Sequence, residues 1–163
     1  MQEYVTDAII LKKDPLRDQD GRYAFFTQRF GKITGKATSS RKITSKLSAH
    51  LEPGNLSRVR FVEVHGTQIV DALKTVRTPI SLIDLHFLSE ILPDGEPEPE
   101  LWNMFATGQF SWAKTLQVLG WDPEGAACAQ CNKEPARYFY IPRQEFFCST
   151  CASKLKKDKV ILV

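Results

Sequence analysis

The four cysteines of the chain form two pairs of equal spacing, "CAQC" at Cys128 and Cys131 and "CSTC" at Cys148 and Cys151. Two residues between cysteines permit a tight turn that directs both thiolates to one point, so two turns supply four sulfur ligands at about 2.3 Å from a metal. We therefore predict one zinc ion held by all four cysteines. Four sulfurs fill a tetrahedral coordination sphere and leave no position for water, which is typical of a structural rather than a catalytic site.

Three other uses of the cysteines stay open: two disulfides, a redox dithiol and an iron–sulfur cluster. Disulfides need an oxidising compartment. The N-terminal stretch "MQEYVTDAII" lacks the basic and apolar regions of a secretory signal, and no apolar run reaches the roughly 18–20 residues of a membrane span. We therefore expect a cytoplasmic location, and zinc is favoured over the three alternatives.

Residues 21–51 contain seven basic side chains and no acidic one. Such a run indicates a surface that follows the phosphates of a nucleic acid, although a solvated surface gives the same pattern. Two arginines follow on one face of the next predicted strand. The predicted DNA-binding residues are Arg29, Lys32, Lys36, Arg41, Lys42, Lys46, Arg58 and Arg60. Aromatic residues interleaved with the bases are expected either to stack on nucleotides or to fill the core.

Catalytic chemistry finds little support in the sequence. Asp14, Asp18 and Asp20 form an acidic group, but their register does not fit an EF-hand loop, and a solvated turn is favoured. The three histidines lie far apart and have no serine or cysteine partner in an evident motif. We therefore predict that the protein is not an enzyme and has no catalytic residues.

The elements that position the basic residues are predicted to be five short strands, because apolar and polar residues alternate in the first 76 residues. Five strands in such a length favour a small closed barrel. The alternation slips at Phe61 and Val62, which predicts a β-bulge in the fourth strand. A loop with a short helical turn is expected between the third and fourth strands. The five stretches are "DAIILK", "RYAFFTQ", "KITGKAT", "SRVRFVEV" and "QIVDALKTV".

Helices are predicted to follow the barrel. Thr78 is expected to cap the first helix, with Pro79 at its first position. "PELWNMFATG" and "SWAKTLQVLG" are predicted to be two further short helices, each ending at a glycine. Between the cysteine pairs, "RYFYI" and "EFF" resemble strands around the turn "PRQ", which indicates a zinc-ribbon hairpin.

Charge differs sharply between segments. Residues 1–78 carry 14 basic and 8 acidic side chains, residues 79–127 carry 1 and 8, and residues 128–163 carry 7 and 3. The acidic middle segment is expected to repel DNA and turn it toward the barrel.

With these elements placed, the sequence resembles the RecO family of bacterial recombination mediators. The stretches that carry the resemblance are "DAIILKK", "FFTQRFGKITGKATSSRK", "SKLSAHLEPGNLSRVRF", "LHFLSEILPDGEPEPELWNMF" and "LGWDPEGAACAQC" with "FCSTCA". The resemblance implies an α+β chain with an N-terminal OB-fold at residues 1–77, a short helical domain at 78–127, and a zinc-ribbon module with a basic tail at 128–163. It also implies binding of single- and double-stranded DNA, strand annealing and recombinase loading.

The resemblance further implies two protein partners, a RecR-like mediator and the acidic tail of the single-strand binding protein. The family's helical domain carries the tail site, and that domain is short in this sequence. We therefore expect weak or absent binding of the tail. An alternative function is an interaction scaffold in which the OB-fold and zinc ribbon bind RNA or a protein machine.

Overall fold

The computed structural model describes residues 2–42 and 44–163. The chain divides into two compact units, one ending at Gln109 and the other beginning at Phe110. Each unit is described by itself below. The domain boundaries at 77/78 and 127/128 stay predictions.

The first unit is built on five strands, which are β1 Gln2–Pro15, β2 Gly21–Thr27, β3 Gly31–Ala37, β4 Asn55–Glu63 and β5 Thr67–Arg77. They form a closed barrel in the order β1-β2-β3-β5-β4. All neighbours pair antiparallel except β3 and β5, which meet in parallel at Lys36 and Gln68. This is the OB-fold, and the predicted fold class is confirmed.

The predicted bulge lies on a different strand from the one expected. Pairing between β4 and β5 shifts twice, once after Leu56 and once after Arg60. In both cases the additional residue is on β5, where it is Thr75 and Val70 respectively. Strand β4 itself keeps an unbroken register with β1. The two unpaired residues therefore bend β5 and not β4.

The barrel interior is filled by large apolar side chains. Tyr23, Phe25 and Phe61 are fully buried, and the rings of Phe25 and Phe61 meet edge to face at 5.2 Å. Phe26 points to the opposite face of its strand and packs against Trp102 and Phe105. At least three of the aromatic residues within the basic run therefore serve packing rather than base stacking.

Two helices follow the barrel in the first unit, α1 Leu82–Ile91 and α2 Pro99–Ala106. The expected cap at Thr78 is wrong. Ser81 caps α1 by accepting a hydrogen bond from the Asp84 N–H, while the Thr78 hydroxyl and N–H both bond the Gly54 carbonyl. Thr78 is thus used to tie the end of β5 to the start of β4, and the chain needs three more residues before it turns into the helix.

Gly31 opens β3 where the α1–α2 connector passes close to the strand. Its φ is +67°, and a Cβ at this position would fall inside the backbone of Glu96. The Gly95 N–H also bonds the Lys32 carbonyl at 2.9 Å, so the connector cannot easily move away. The glycine is therefore required both by its backbone conformation and by the lack of space.

Replacing Gly31 by Ala should lower the free energy of unfolding by about 2–5 kcal/mol, since a left-handed conformation and an overpacked contact both carry a cost. Gly95→Ala is the matched control, because Gly95 has a similar φ of +73° with nothing within 4 Å of the added Cβ. It should lose only about 1–2 kcal/mol. Urea unfolding followed by circular dichroism compares the two, and equal losses would contradict the packing argument.

The second unit contains a short helix, a small sheet and the four cysteines. The helix α3, Trp112–Val118, is capped by Ser111 and is followed by Gly120 at a φ of +97°. The remaining elements are β6 Tyr138–Tyr140, β7 Glu145–Phe147, α4 Ser149–Ala152 and β8 Val160–Leu162. The sheet has the order β7-β6-β8, and the predicted hairpin is its β6–β7 part. We call residues 128–163 the cysteine module.

Helices of the described residues are all too short or too polar to cross a membrane.

Candidate metal centre and nucleic-acid face

The four cysteine sulfurs converge on one point in the cysteine module. All four Sγ atoms lie within 4.8 Å of one another, and those of Cys131 and Cys148 are 3.6 Å apart. A tetrahedron with metal–sulfur bonds of about 2.3 Å places its sulfurs about 3.8 Å apart. The donor set and its spacing therefore fit one tetrahedral, thiophilic metal ion. In the described part of the chain, this is the one group of three or more potential metal ligands within such a distance.

Each cysteine pair is shaped by its own backbone hydrogen bonds. In the first turn, the Cys128 N–H bonds the Lys133 carbonyl and the Asn132 N–H bonds the Cys128 carbonyl, with Asn132 at a φ of +58°. In the second, Cys148 is the N-cap of α4 and its carbonyl accepts from the Ala152 N–H. These bonds close each pair into a turn whose two sulfurs face the same way.

Strand β7 joins the two turns. The Ala129 N–H bonds the Phe146 carbonyl at 2.9 Å, next to the strand that leads into the second pair. Cys128 and Cys151 are buried, whereas Cys131 is exposed. One side of the metal position thus faces the module's small apolar core, which includes Ala136 and Phe147.

The thiols ionise unequally because their surroundings differ. Burial alone would raise the pKa of the Cys128 thiol. Hydrogen bonds from the backbone of Cys148, Cys131 and Gln130 outweigh burial and lower this pKa to about 6. Burial, together with hydrogen bonding to the other sulfurs, raises the pKa of Cys151 to about 12. A metal that binds four thiolates must displace the protons still present, so its affinity should increase with pH.

The basic residues of the β3–β4 connection are exposed next to the β1–β2 loop. Arg41 secures this arrangement, since its N–H bonds the Gln19 carbonyl and its guanidinium bonds the Leu16 carbonyl at 3.0 Å. Lys42 and Lys46 are exposed on the same connection. Ile43, between them, lies outside the described residues.

Lys36 lies beside this connection at the end of β3. Its Nζ is 2.8 Å from the Asp20 carboxylate, which also accepts from the Ser39 N–H at 2.7 Å. These two partners hold the pKa of Asp20 below its usual range, and Lys36 has the larger effect. Strand pairing places the exposed Arg22 directly opposite Lys36. We call Arg22, Lys36, Arg41, Lys42 and Lys46 the loop face.

Lys32 has a different position from the other predicted DNA-binding residues. Only 12% of its side chain is exposed, and its Nζ lies 3.0 Å from the Ser89 carbonyl and 3.3 Å from the Asp94 carboxylate. The side chain thereby connects β3 to the end of α1 and the connector that follows. Such a lysine stabilises the packing of helix on barrel.

Arg58 and Arg60 lie on β4, which β5 separates from β3 in the barrel. Arg58 makes two hydrogen bonds to the Asp7 carboxylate, and Arg60 contacts Glu3 at 3.2 Å. Their charges are therefore balanced by acidic residues of β1. Arg29, at the β2–β3 turn, is exposed with its guanidinium 5.3 Å from the Phe30 ring centre. The structure thus does not bring all eight predicted bases onto one surface.

Two of the three acidic residues considered as a rival metal site, and two of the histidines, have other partners. Asp14 pairs with Lys12 at 3.2 Å, and Asp20 pairs with Lys36. His50 accepts the Lys74 N–H through Nδ1, and His86 lies beside Glu90.

One exposed base beside the loop, Arg22, was missing from the predicted face. The signal was present, because residues on either side of a β2–β3 turn at 28–30 pair symmetrically and Arg22 then falls opposite Lys36. Applying hairpin register to the basic run would have identified it.

Fold and site together define an OB-fold protein with a four-cysteine cluster. Residues 1–79 match the family model described as "Recombination protein O N terminal". Relatives named DNA repair protein RecO align with most of the chain. That of Thermodesulfovibrio yellowstonii is 27% identical over 92% of this chain and 70% of its own length. That of Geobacter metallireducens is 25% identical over 82% of this chain and 65% of its own length. One from Dehalococcoides mccartyi is 26% identical over 81% of this chain and 62% of its own length.

The predicted resemblance to the RecO family is confirmed: residues 1–79 match its N-terminal model, and relatives named DNA repair protein RecO align with most of the chain. The chain spans roughly two thirds of the length of these relatives.

Proposed function

We propose that the chain is a DNA-binding protein of recombinational repair that acts through non-covalent contacts. It binds single- and double-stranded DNA and promotes strand annealing or recombinase loading. The observation that carries this proposal is the loop face, where exposed bases from β2, β3 and the β3–β4 connection lie on a barrel of the RecO N-terminal family. The name that the relatives carry, DNA repair protein RecO, supports the same conclusion.

The loop face suits DNA of any sequence. Lysine and arginine side chains on loops and strand ends contact phosphates, which fix the position of a strand without reading its bases. Arg58, Arg60 and Arg29 belong to the proposed binding set only as a secondary surface, since they lie on β4 and at the β2–β3 turn and not on or beside the β3–β4 connection. Lys32 supports the face by holding α1 and the connector against β3.

The four cysteines are proposed to hold one Zn²⁺. The ion would supply folding free energy to the cysteine module and no bond-making chemistry, because four sulfurs complete its coordination. A module of this size buries little apolar surface, so a metal is expected to decide whether it folds. No catalytic residue is assigned, and we propose a cytoplasmic location, where the DNA substrate of such a repair protein is found.

A RecR-like mediator is proposed as a protein partner, by analogy with the family. The weak or absent binding of the single-strand binding protein's tail stays a prediction.

The function is tested by titrating labelled single-stranded DNA, duplex DNA and RNA of one sequence, followed by annealing of complementary DNA strands. We expect both forms of DNA to bind and annealing to accelerate. Tighter binding of RNA than of either DNA would contradict the proposal and favour the scaffold alternative.

A further inference from the structure

The cysteine module contains a cavity of about 320 Å³ on the side of its sheet that carries α4. Tyr138 and Leu162 are cross-strand neighbours on β6 and β8 and line it together with Val160. Ala152 of α4, the exposed Lys157 and two serines, Ser149 and Ser153, complete the lining. Leu162 is 63% exposed on the cavity face of β8, whereas its neighbour Ile161 points to the opposite face and is buried.

The lining combines one aromatic ring, aliphatic side chains, two serines and one lysine. An aromatic ring next to aliphatic side chains accepts the flat face of a nucleobase, and every base has such a face. A lysine at the same cavity supplies a cation for the phosphate attached to that base. The volume lies at the lower end of the range of small-ligand sites, as expected for a site holding one nucleotide.

We infer that this cavity is a second single-strand site, in which one nucleotide places its base against Tyr138 and its phosphate at Lys157. Charge complementarity supports a nucleic acid over an apolar peptide. Residues 148–163 carry four lysines and one aspartate, so the surroundings of the cavity attract a polyanion. The inference deepens the proposed function, because it assigns a subsite for DNA outside the barrel, and it rests on that function.

The site is tested by photocrosslinking the full chain to a thymidine oligomer that contains one 4-thiothymidine. Mass spectrometry should locate a crosslink at Tyr138. Lys157→Glu should remove this crosslink and weaken binding of the oligomer about tenfold. Lys154→Glu is the matched control, since it makes the same charge change at an exposed lysine that does not line the cavity. It should keep the crosslink and most of the affinity.

Metal content and near-ultraviolet circular dichroism establish that each variant is folded. The double variant Lys42→Glu with Lys46→Glu separates this inference from the proposed function. It should bind far more weakly through the barrel yet retain the Tyr138 crosslink at high oligomer concentration. If the cavity takes an apolar peptide and not a nucleotide, the oligomer should crosslink only to the barrel. That result would overturn the inference. Equal effects of Lys157→Glu and Lys154→Glu also overturn it, because they indicate general charge and not a site.

Discussion

Replacing Cys128 by Ser should unfold the cysteine module and leave the barrel folded. The sulfurs lie within 4.8 Å of one another, so one substitution leaves three ligands and an open tetrahedral position. Binding of structural Zn²⁺ contributes on the order of 10 kcal/mol or more at pH 7, which is comparable with the whole stability of a small domain. Most of that contribution should be lost with the fourth sulfur.

Elemental analysis should find about one zinc per parent chain in reducing buffer and much less in the variant. Limited proteolysis should then cleave the variant beyond residue 127 and spare residues 2–77. Gln130→Ser is the matched control, because it introduces the same residue between Cys128 and Cys131 at an exposed position and keeps all four sulfurs. A metal-free parent that resists proteolysis as well as the metal-bound form would contradict the account.

Reversing two charges on the loop face should weaken single-strand binding about a hundredfold at low salt. Lys42→Glu with Lys46→Glu removes two phosphate contacts and adds two repulsive charges on exposed side chains. Each of these four changes is expected to cost about 0.7 kcal/mol, and about 1.4 kcal/mol corresponds to a factor of ten. The slope of the logarithm of the binding constant against the logarithm of salt concentration should also become less steep, by about 0.7 for each lost contact.

Lys74→Glu with Lys133→Glu makes the same change in net charge on exposed residues of β5 and the first cysteine turn. This control should bind within about threefold of the parent, since neither lysine belongs to the loop face. The loop-face assignment is wrong if both double variants, still folded by circular dichroism, lose the same affinity.

Local patterns in the sequence were sufficient to predict most of the elements. The alternation in "KITGKAT" and the turn residues near it predicted β3, and the glycines after α2 and α3 predicted where those helices end, as Gly108 and Gly120 confirm with positive φ. Equal cysteine spacing predicted a four-sulfur cluster, and the sulfurs do converge. In each case, the residues that produce the structural feature lie within a few positions of the pattern that predicted it.

Long-range pairing could not be predicted in this way. The basic run holds no acid of its own, yet Lys32 pairs with Asp94 from the connector, 62 positions along the chain. Likewise Arg58 is balanced by Asp7, on a strand that is adjacent only after the barrel closes. Strand β8 was missed because three residues after a lysine-rich turn give too short a pattern, and it forms by pairing with β6.

The salt dependence of single-strand binding is the most direct test of phosphate contacts on the loop face. If about four of its bases contact phosphates, the logarithm of the binding constant should fall against the logarithm of salt concentration with a slope of about −3. Affinity for a thymidine oligomer would then drop about 60-fold between 50 and 200 mM salt. A slope near zero, with the parent protein folded and zinc-bound, would contradict the account.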